Sequence, residues 1–333
     1  MLSQLSIYNI AVKLYLAKGC TNSDELSAVL FKRLMIRRLK ADVLNDLPEK
    51  RREVVFLSGN NINDRMKSLQ KAKQAYEESS KPGFSGGTGK AAHDCLLEYF
   101  SLTGIVKAAA VSSHILDNFF FPDAPPRKVL IFAHHSIVLD TLQVEVDKRG
   151  LKSIRIDGKT PAKDRGPLCD AFQNKDDIRV AILSVTAAGV GITLTAATVV
   201  IFAEIHFNPG TLVQAEDRAH RVGQKDSVYV QYLIAKNTSD DVMWPMVQKK
   251  LDVLSKVNLS SDTFRDAEKS HMHFADLTNQ RRMSEFFVSG SGSTVALDCK
   301  ETASHAPVVV LGDDWDDSFE DSIPTKRLRH EEP

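Results

Sequence analysis

The residues with the clearest chemical potential lie between Gln214 and Gln224, in the segment Gln-Ala-Glu-Asp-Arg-Ala-His-Arg-Val-Gly-Gln. We predict a helix from Thr211 to Arg221, on which Gln214, Arg218 and Arg221 share one face because they are spaced i, i+4 and i+7. Two guanidiniums on one face resist burial unless they meet anions. Phosphoryl transfer needs such cations where charge spreads over the transferred group. The spacing therefore favours an arginine-finger arrangement.

The alternative interpretation of these arginines is structural. Arg221 follows Asp217 by four residues, a spacing at which opposite charges pair on a helix. The arginines would then stabilise the helix rather than bind a phosphate. The segments that precede them in the sequence bear on this choice.

A glycine-containing loop lies about 23 residues upstream of the segment 214–224 and reads Thr-Ala-Ala-Gly-Val-Gly-Ile-Thr over residues 186–193. Gly189 and Gly191 allow the backbone to approach a ligand closely, and the Thr193 hydroxyl can donate to a phosphate or to a neighbouring loop. A lone Gly-x-Gly is a weak signal. Here it follows a predicted strand, and we expect the loop and the arginine helix to lie on the same carboxyl edge of one sheet.

Another candidate contact follows the second predicted strand, in the sequence Arg-Ile-Asp-Gly-Lys-Thr over residues 155–160. Lys159 and Thr160 are suited to a backbone phosphate of a nucleic acid. An ordinary turn is the alternative for both residues.

A phosphate loop is suggested by Gly-Gly-Thr-Gly-Lys at residues 86–90, but the spacing fails. The pattern G-x-x-x-x-G-K-[ST] requires Gly at position 84 and a hydroxyl at position 91, where this chain has Phe84 and Ala91. We therefore interpret residues 81–90 as a surface loop.

The elements that must position these residues follow an alternating pattern. Short runs rich in β-branched residues predict five strands: Lys128 to Ala133, Lys152 to Ile156, Arg179 to Val185, Thr198 to Ala203 and Ser227 to Ile234. Helical patterns lie between and after them: Ile137 to Lys148, Pro161 to Phe172, Thr211 to Arg221 and Asp240 to Leu254. Because the strands are continuously apolar, we predict an α/β fold whose parallel sheet carries helices on both faces.

Helices are also predicted before this sheet, at Asn22 to Leu44, Asn60 to Ser80 and Ala91 to Phe120. The first carries Arg37, Arg38 and Lys40, which form either a basic face or an ordinary solvated one. The last 45 or so residues are rich in Ser, Thr, Gly and Asp, a composition typical of disorder.

Composition restricts which partners, metals and compartments the protein can have. Lys plus Arg and Asp plus Glu number 43 each, so any DNA contact must be a local patch. The four cysteines, at positions 20, 95, 169 and 299, are too scattered for a zinc pattern, and we predict no metal site and a reducing compartment. We see no run approaching the ~18 apolar residues of a membrane helix and expect no membrane partner.

The quoted motifs together resemble the second RecA-like lobe of superfamily two helicases, in the Swi/Snf branch. The likeness covers roughly residues 22 to 256. Residues 37–50 (Arg-Arg-Leu-Lys-Ala-Asp-Val-Leu-Asn-Asp-Leu-Pro-Glu-Lys) are similar to the junction leading out of the first lobe, and 128–135 and 214–224 to the fourth and sixth helicase motifs. Ile-Asp-Gly-Lys-Thr-Pro, Phe-Ala-Glu and Asn-Pro-Gly are most similar to the annealing-helicase group, which has HepA-related (HARP) and zinc-finger Ran-binding-domain members.

The resemblance implies ATP-driven tracking along DNA in a cleft between two lobes. Arg218 and Arg221 would reach the ATP held by the first lobe. Gln214, Gly189 and Gly191 are the expected nucleotide-binding residues of this lobe, and Thr193, Lys159 and Thr160 the expected DNA contacts.

One departure from the family is large. No Walker lysine and no Asp-Glu metal motif occur before residue 37, so the chain lacks the groups that hold magnesium and the β- and γ-phosphates. We therefore expect ATP and Mg²⁺ to bind only when a first lobe completes the site, and the chain alone to be inactive. The chain is then a fragment, a truncated gene model or a lobe that works in trans, and we expect one of the first two.

The tail contains a second motif, Gln280-Arg-Arg-Met-Ser-Glu-Phe-Phe287, which resembles a sliding-clamp-binding box. Such a box forms a short turn that places Met283, Phe286 and Phe287 in an apolar pocket of the clamp, while Gln280 makes a polar contact. A chance aromatic pair at a helix end is the alternative. The zinc-finger member of the group carries a similar box, which favours that relative.

The domain boundaries that we predict are 1–52 for the end of the first lobe and junction helix, 53–124 for a helical insertion with the glycine-rich loop, 125–258 for the second lobe, and 259–333 for a mostly disordered tail. Lys326 to Arg329 is a weak nuclear address, and we predict a nuclear protein.

Three functions are weighed: half of a fork-directed DNA translocase, a non-enzymatic adaptor recruited by the clamp, and an RNA helicase lobe, which the 214–224 segment disfavours.

Overall fold

The structure is a computed structural model that describes residues 22–36, 47–58, 66–80, 89–187, 191–256, 264 and 267–273. Within these residues, seven strands form one sheet in the order β3-β4-β2-β5-β6-β1-β7. Every neighbouring pair is parallel. The strands are β1 Lys50–Ser58, β2 Val129–Ala133, β3 Lys152–Ile156, β4 Ile178–Ser184, β5 Val199–Phe202, β6 Val228–Ala235 and β7 Glu268–His273.

Helices cover both faces of the sheet. They are α1 Ser23–Val29, which a π-helical turn Leu30–Leu34 continues, α2 Met66–Ser79, α3 Gly89–Phe119, α4 Ser136–Lys148, α5 Ala162–Asn174, α6 Pro209–Glu216 and α7 Asp240–Lys256. Helices α5, α6 and α7 contribute to one apolar core with the strands. Helix α3 packs against β6, and α4 packs against β2, β3 and β4.

The buried strands divide their side chains between the two faces. Leu130 and Phe132 of β2 belong to the core beneath α5, α6 and α7. The alternate residues Val129 and Ile131 are equally buried and point to the opposite face. A parallel strand covered on both sides needs this continuous apolar sequence.

A row of aromatic rings crosses the core beneath α5, α6 and α7, from β2 to α7. The ring centroids of Phe132 and Phe202 are 5.4 Å apart, those of Phe202 and Tyr232 are 4.7 Å apart, and those of Tyr232 and Trp244 are 5.1 Å apart. Such contacts contribute about 0.5–1.5 kcal/mol each beyond the area that they bury. They join three neighbouring strands to the last described helix.

The predicted fold class is confirmed, and the five predicted strands are all present with ends shifted by no more than about one residue. Two further strands were missed. β1 begins with Lys50, Arg51, Arg52 and Glu53, which conceal the apolar run after them, and it lies in a part of the chain predicted to be junction and helices. β7 reads Glu-Lys-Ser-His-Met-His and falls in the predicted tail. The domain boundaries themselves stay predictions.

The predicted helix from Asn22 to Leu44 was too long. The helical turns end at Leu34, and Met35 is extended, with φ −143° and ψ 135°. The arginines at 37 and 38 and Lys40 lie outside the described residues, as does the loop 81–88.

One stretch of α3, His93–Phe119, is long and apolar enough to cross a membrane, contrary to what we expected from the sequence. Of its most apolar window, 61% is buried inside the fold. A core helix of a globular domain has the same composition.

Candidate functional site

The two arginines do not lie on the helix that was predicted to carry them. Helix α6 ends at Glu216, and Asp217 is its C-cap. The N–H groups of Arg218 and Ala219 donate to carbonyls only three residues back, at 3.1 Å each, so the chain tightens into turns. The shared helical face with Gln214 is therefore wrong, although Gln214 itself is exposed on α6.

The turns nonetheless bring both arginines to the glycine-containing loop. The carbonyl of Arg218 accepts from the N–H of Leu194 at 2.9 Å. Its Nη1 donates to the Ile192 carbonyl at 3.3 Å, and Nη1 of Arg221 donates to the Thr193 hydroxyl at 3.3 Å. Arginine turn and loop thus form one local unit, as the sequence spacing suggested.

Gly191 has the left-handed backbone that explains its residue type, with φ +70°. No heavy atom lies within 4 Å of a Cβ built there, so conformation rather than close packing selects glycine. Gly189 lies outside the described residues.

This unit sits nearer the amino ends of the strands than the carboxyl edge where we expected it. Gln224 donates to the carbonyl of Ala197, two residues before β5, at 2.9 Å. His220 Nε2 donates to the carbonyl of Pro48, two residues before β1, at 2.7 Å. The reason is topological, because α6 runs back across the sheet from the end of β5 to the start of β6.

Among the described residues, neither Arg218 nor Arg221 forms an ion pair with a carboxylate. Asp217 instead lies 3.8 Å from Nζ of Lys50. The Nε of Arg218 is buried without a hydrogen-bond partner in this part of the chain. Burial lowers the pKa of Arg218, the neighbouring charge of Arg221 lowers it further, and Asp217 opposes both. The arrangement presents two close cations to an anion, which is what the arginine-finger interpretation requires.

Sequence reasoning missed the residue that anchors these turns, Glu216. Its side chain is fully buried and accepts from Lys50 Nζ at 2.8 Å, from Arg52 Nε at 2.7 Å and from the Tyr232 hydroxyl at 2.6 Å. Burial opposes ionisation, but the two cations and their hydrogen bonds hold the pKa of Glu216 below its usual value. The available signal was the Lys-Arg-Arg run in β1, since cations entering a sheet need a carboxylate.

The predicted contacts Lys159 and Thr160 lie elsewhere, after β3 at the edge of the sheet. The Thr160 hydroxyl accepts from the Asp157 N–H at 3.0 Å, and Asp157 Oδ1 accepts from the Lys159 N–H at 2.9 Å. These bonds are those of a closed turn, the alternative stated above, and they leave the Lys159 side chain exposed. No hydrogen bond or ion pair in the described residues joins this turn to Arg218, Arg221 or Thr193.

A histidine cluster at the carboxyl ends of β2 and β5 was also missed. Glu204 is buried and accepts from His135 Nδ1 at 2.6 Å, while the rings of His134 and His206 lie 5.7 Å apart between centroids, tilted by 55°. Burial, with the charge of a neighbouring histidine, lowers the pKa of both His134 and His206 to about 4. The described residues contain no group of three or more His, Cys, Asp or Glu placed to hold a metal ion.

The parallel sheet and the arginine turn define a class of protein, and comparison with known families agrees. The model of the helicase conserved C-terminal domain matches residues 111–223, which include β2 to β5 and both arginines. The chain therefore carries the second lobe of a Swi/Snf-type superfamily two protein, as its motifs predicted.

Its relatives identify the group more closely. The chain is 72% identical over 260 residues to a SWI/SNF-related matrix-associated actin-dependent regulator of chromatin subfamily A-like protein 1 homolog from Caenorhabditis elegans, covering 78% of this chain and 37% of that protein. The Xenopus tropicalis protein of the same description is 40% identical over 269 residues, covering 81% and 28%. The DNA annealing helicase and endonuclease ZRANB3 of Bos taurus is 40% identical over 239 residues, covering 71% and 21%.

The chain thus spans between about a fifth and two fifths of the relatives that it matches. The zinc-finger relative was favoured from the tail motif, and that preference was wrong, because identity to the Caenorhabditis elegans homolog is far higher. Among solved structures, the C-terminal part of the Fun30 ATPase domain covers 62% of this chain and 92% of its own at 22% identity and a TM-score of 0.48.

Proposed function

We propose that this chain is the second lobe of an ATP-dependent DNA translocase of the annealing-helicase type, which acts in the nucleus on replication forks and in DNA repair. Arg218 and Arg221 stabilise the charge on the phosphoryl group of an ATP held by a first lobe. The observation that carries the proposal is the pair itself: two close guanidiniums on an anchored turn, without an ion pair to a described carboxylate.

The nucleotide fits the donors that this lobe offers. The buried Nε of Arg218 has no described partner, and a phosphate oxygen is a suitable acceptor for it. Gln214 and the 189–191 loop complete the nucleotide side of the lobe. We assign Mg²⁺ and the β- and γ-phosphates to the first lobe, since residues 81–90 do not fit the phosphate-loop pattern G-x-x-x-x-G-K-[ST].

The DNA side of the proposal uses Thr193, Lys159 and Thr160. Thr193 links the two functions, because its hydroxyl accepts from Arg221 and the same loop faces the cleft in the proposed arrangement. Lys159 is exposed on a turn that four hydrogen bonds hold closed, so its charge is available to a backbone phosphate.

The test is DNA-stimulated ATP hydrolysis by a completed motor, made by placing this chain in the Caenorhabditis elegans relative in place of the region that it matches. We expect Arg221→Ala and Arg218→Ala each to lower kcat by about 10³-fold, the lower end of the effect of an arginine finger. The matched control is Arg149→Ala, which removes an exposed arginine paired with Asp117 at 2.7 Å. It should leave kcat unchanged.

The chain alone, tested beside the completed motor, separates the enzymatic proposal from the adaptor. We expect no hydrolysis from the chain alone and arginine-dependent hydrolysis from the completed motor. If the completed motor turns over ATP equally well without either arginine, the finger assignment is wrong. If it binds forked DNA but never hydrolyses ATP, the adaptor function replaces the motor.

We propose further that Gln280, Met283, Phe286 and Phe287 recruit the protein to a sliding clamp. These residues lie outside the described part, so the support is their spacing alone. Calorimetric titration of the full chain with a purified clamp should show binding that Phe286→Ala abolishes. Phe264→Leu, which changes a buried aromatic residue outside the motif, is the control. Equal binding by the Phe286 variant would dismiss the motif.

A further inference from the structure

We propose that Lys50 is a positioning residue for Arg218 and Arg221, and that it couples the arginine turn to the segment Leu47–Glu49 through which the chain enters the sheet. This inference rests on the proposed function, because it concerns the same two arginines. It adds a cause for their placement that lies outside the 214–224 segment.

The first link is the ion pair between Lys50 and Glu216. Nζ of Lys50 lies 2.8 Å from Oε2 of Glu216, and the two side chains are 11% and 0% exposed. Water therefore screens the pair little, and its geometry is held more tightly than that of a surface pair. Glu216 is the last residue of α6 and stands two residues before Arg218.

Two more links tie the same segment to the turn. Nζ of Lys50 is also 3.8 Å from Asp217, the residue between Glu216 and Arg218. On the other side of Arg218, the Nε2 of His220 donates to the Pro48 carbonyl at 2.7 Å. The carbonyl of Glu49 accepts from Val228 at 3.0 Å, which fixes the segment at the start of β6.

These links bracket Arg218 and precede Arg221. Residues on both sides of Arg218 are bound to Pro48 and Lys50, so a displacement of that short segment must carry the turn with it. The turn has few other ways to adapt, because Gln224 binds the Ala197 and Ala219 carbonyls at 2.9 and 3.2 Å. Lys50 is thus placed to set where the two guanidiniums point.

The Lys50 side chain can be replaced without leaving the buried carboxylate of Glu216 unpaired. In a Lys50→Met variant, Glu216 keeps Arg52, whose Nη2 lies 2.6 Å from Oε2, and keeps the Tyr232 hydroxyl. The carboxylate therefore retains a cation and a neutral donor. What is lost is the link from Glu216 to Lys50, while the bond from His220 to the Pro48 carbonyl remains.

The test measures kcat and KM for ATP in the completed motor described above. We expect Lys50→Met to lower kcat by about tenfold, equivalent to about 1.4 kcal/mol in the barrier, with KM for ATP changed less than about twofold. Lys50→Arg, which can reach the same carboxylate, should recover most of the loss. The matched control is Arg51→Met, the adjacent residue in β1, whose side chain is 67% exposed and pairs with Glu49. It should leave both constants unchanged.

A double-variant cycle separates positioning from stability. If Lys50 acts through the arginines, Lys50→Met has no further effect on kcat once Arg221 is alanine. A tenfold loss that persists in the Arg221→Ala background overturns the proposal, as does an unchanged kcat in the single variant. Should Lys50→Met fail to fold, Lys50→Gln is measured in its place with the same criteria.

The two proposals fail in different ways. If the arginine variants lose activity and the Lys50 variant does not, only the positioning role is wrong. If the arginine variants keep their activity, the finger assignment fails first, and any effect of Lys50 must have another origin.

Discussion

Oε1 of Glu204 lies 2.6 Å from Nδ1 of His135, at the point where β2 ends and α4 begins. The other carboxylate oxygen accepts the backbone N–H groups of His134 and His135 at 2.8 Å each. One buried carboxylate thereby joins the end of β5 to the turn after β2. Its space is provided by Gly104 of α3, where an added Cβ would lie 2.4 Å from Oε1 of Glu204.

Replacing Gly104 by alanine should therefore destabilise the fold. Glycine to alanine within a helix ordinarily stabilises by about 1 kcal/mol. At Gly104 the new methyl would meet the carboxylate and lie 3.2 Å from Val138, and we expect a net loss of about 1–3 kcal/mol, typical of an overpacked site. Urea denaturation measures it. Ser113→Ala, elsewhere in α3, should stay within about 0.5 kcal/mol, and a stabilised Gly104 variant would show that the carboxylate can move.

Stability should fall as the pH is lowered from 6.5 to about 5. Burial lowers the pKa of His134 and of His206 from 6.5 to about 4, so below pH 6.5 the unfolded chain binds protons that the folded chain does not. The loss should be about 1.4 kcal/mol per pH unit for each histidine. Above pH 5 Glu204 adds little, because its lowered pKa affects stability only below about 4.5.

The measurement is the free energy of unfolding at several pH values between 6.5 and 5. His206→Gln should reduce the slope of stability against pH, because glutamine does not titrate. The fold should tolerate it, since Nδ1 of His206 accepts from the Asn208 N–H at 3.1 Å and a glutamine oxygen can take that role. His93→Gln on α3 is the control. A slope that neither His134→Gln nor His206→Gln changes would assign the pH dependence to other groups.

The buried pair between Lys107 and Asp240 should contrast with a surface pair of the same kind. Lys107 Nζ lies 2.8 Å from Oδ2 of Asp240, and both side chains are completely buried. Lys107→Met leaves the carboxylate without its cation and should cost about 3–5 kcal/mol. Lys73→Ala breaks a 3.9 Å pair with Glu77 that is about half exposed, and it should cost less than about 1 kcal/mol. Similar losses for the two variants in urea denaturation would contradict the burial argument.

Gln224→Ala should loosen the turn that carries the arginines. The side-chain amide donates to two carbonyls, and its oxygen accepts from the N–H groups of Lys225 and Asp226 at 2.9 and 3.0 Å. Leaving these groups without partners should cost about 2–4 kcal/mol of stability. Amide hydrogen exchange at residues 221–226 should also speed up. Gln143→Ala, which removes a partly buried amide on α4, is the control, and unchanged exchange at 221–226 would mean that other bonds hold the turn.

The central strands were predictable because the sequence of each strand alone indicates where it lies in the fold. Val-Leu-Ile-Phe-Ala in β2 is apolar at every position, and a run buried on both faces has few alternatives to a central parallel strand. The meeting of Thr193 with Arg221 was also inferable, since both belong to segments that flank neighbouring strands. The alternation of strands and helices also predicted the parallel sheet with helices on both faces.

The end of α6 was not predictable by the same reasoning. The spacing of Gln214, Arg218 and Arg221 suits a helix, but the helix ends because Glu216 is bound by cations far away in sequence. Lys50 is 166 residues from it and Arg52 is 164. β1 was not predicted for the same reason, because the charges at its beginning are neutralised only in the folded chain. Pairings at such separations leave no periodic trace in either segment.

The position of β1 in the sheet has a consequence for synthesis. Glu53 of β1 contacts Gln231 of β6 across 178 residues, so β1 leaves the ribosome long before β6 and cannot pair with it until β6 has followed. At 5–20 residues per second, that interval is about 10–35 s. During it, the nascent chain carries Val54, Val55 and Leu57, nearly all of whose surface the finished sheet buries, in an unpaired apolar strand. The order of the strands therefore leaves an apolar strand exposed to other chains until β6 has been made.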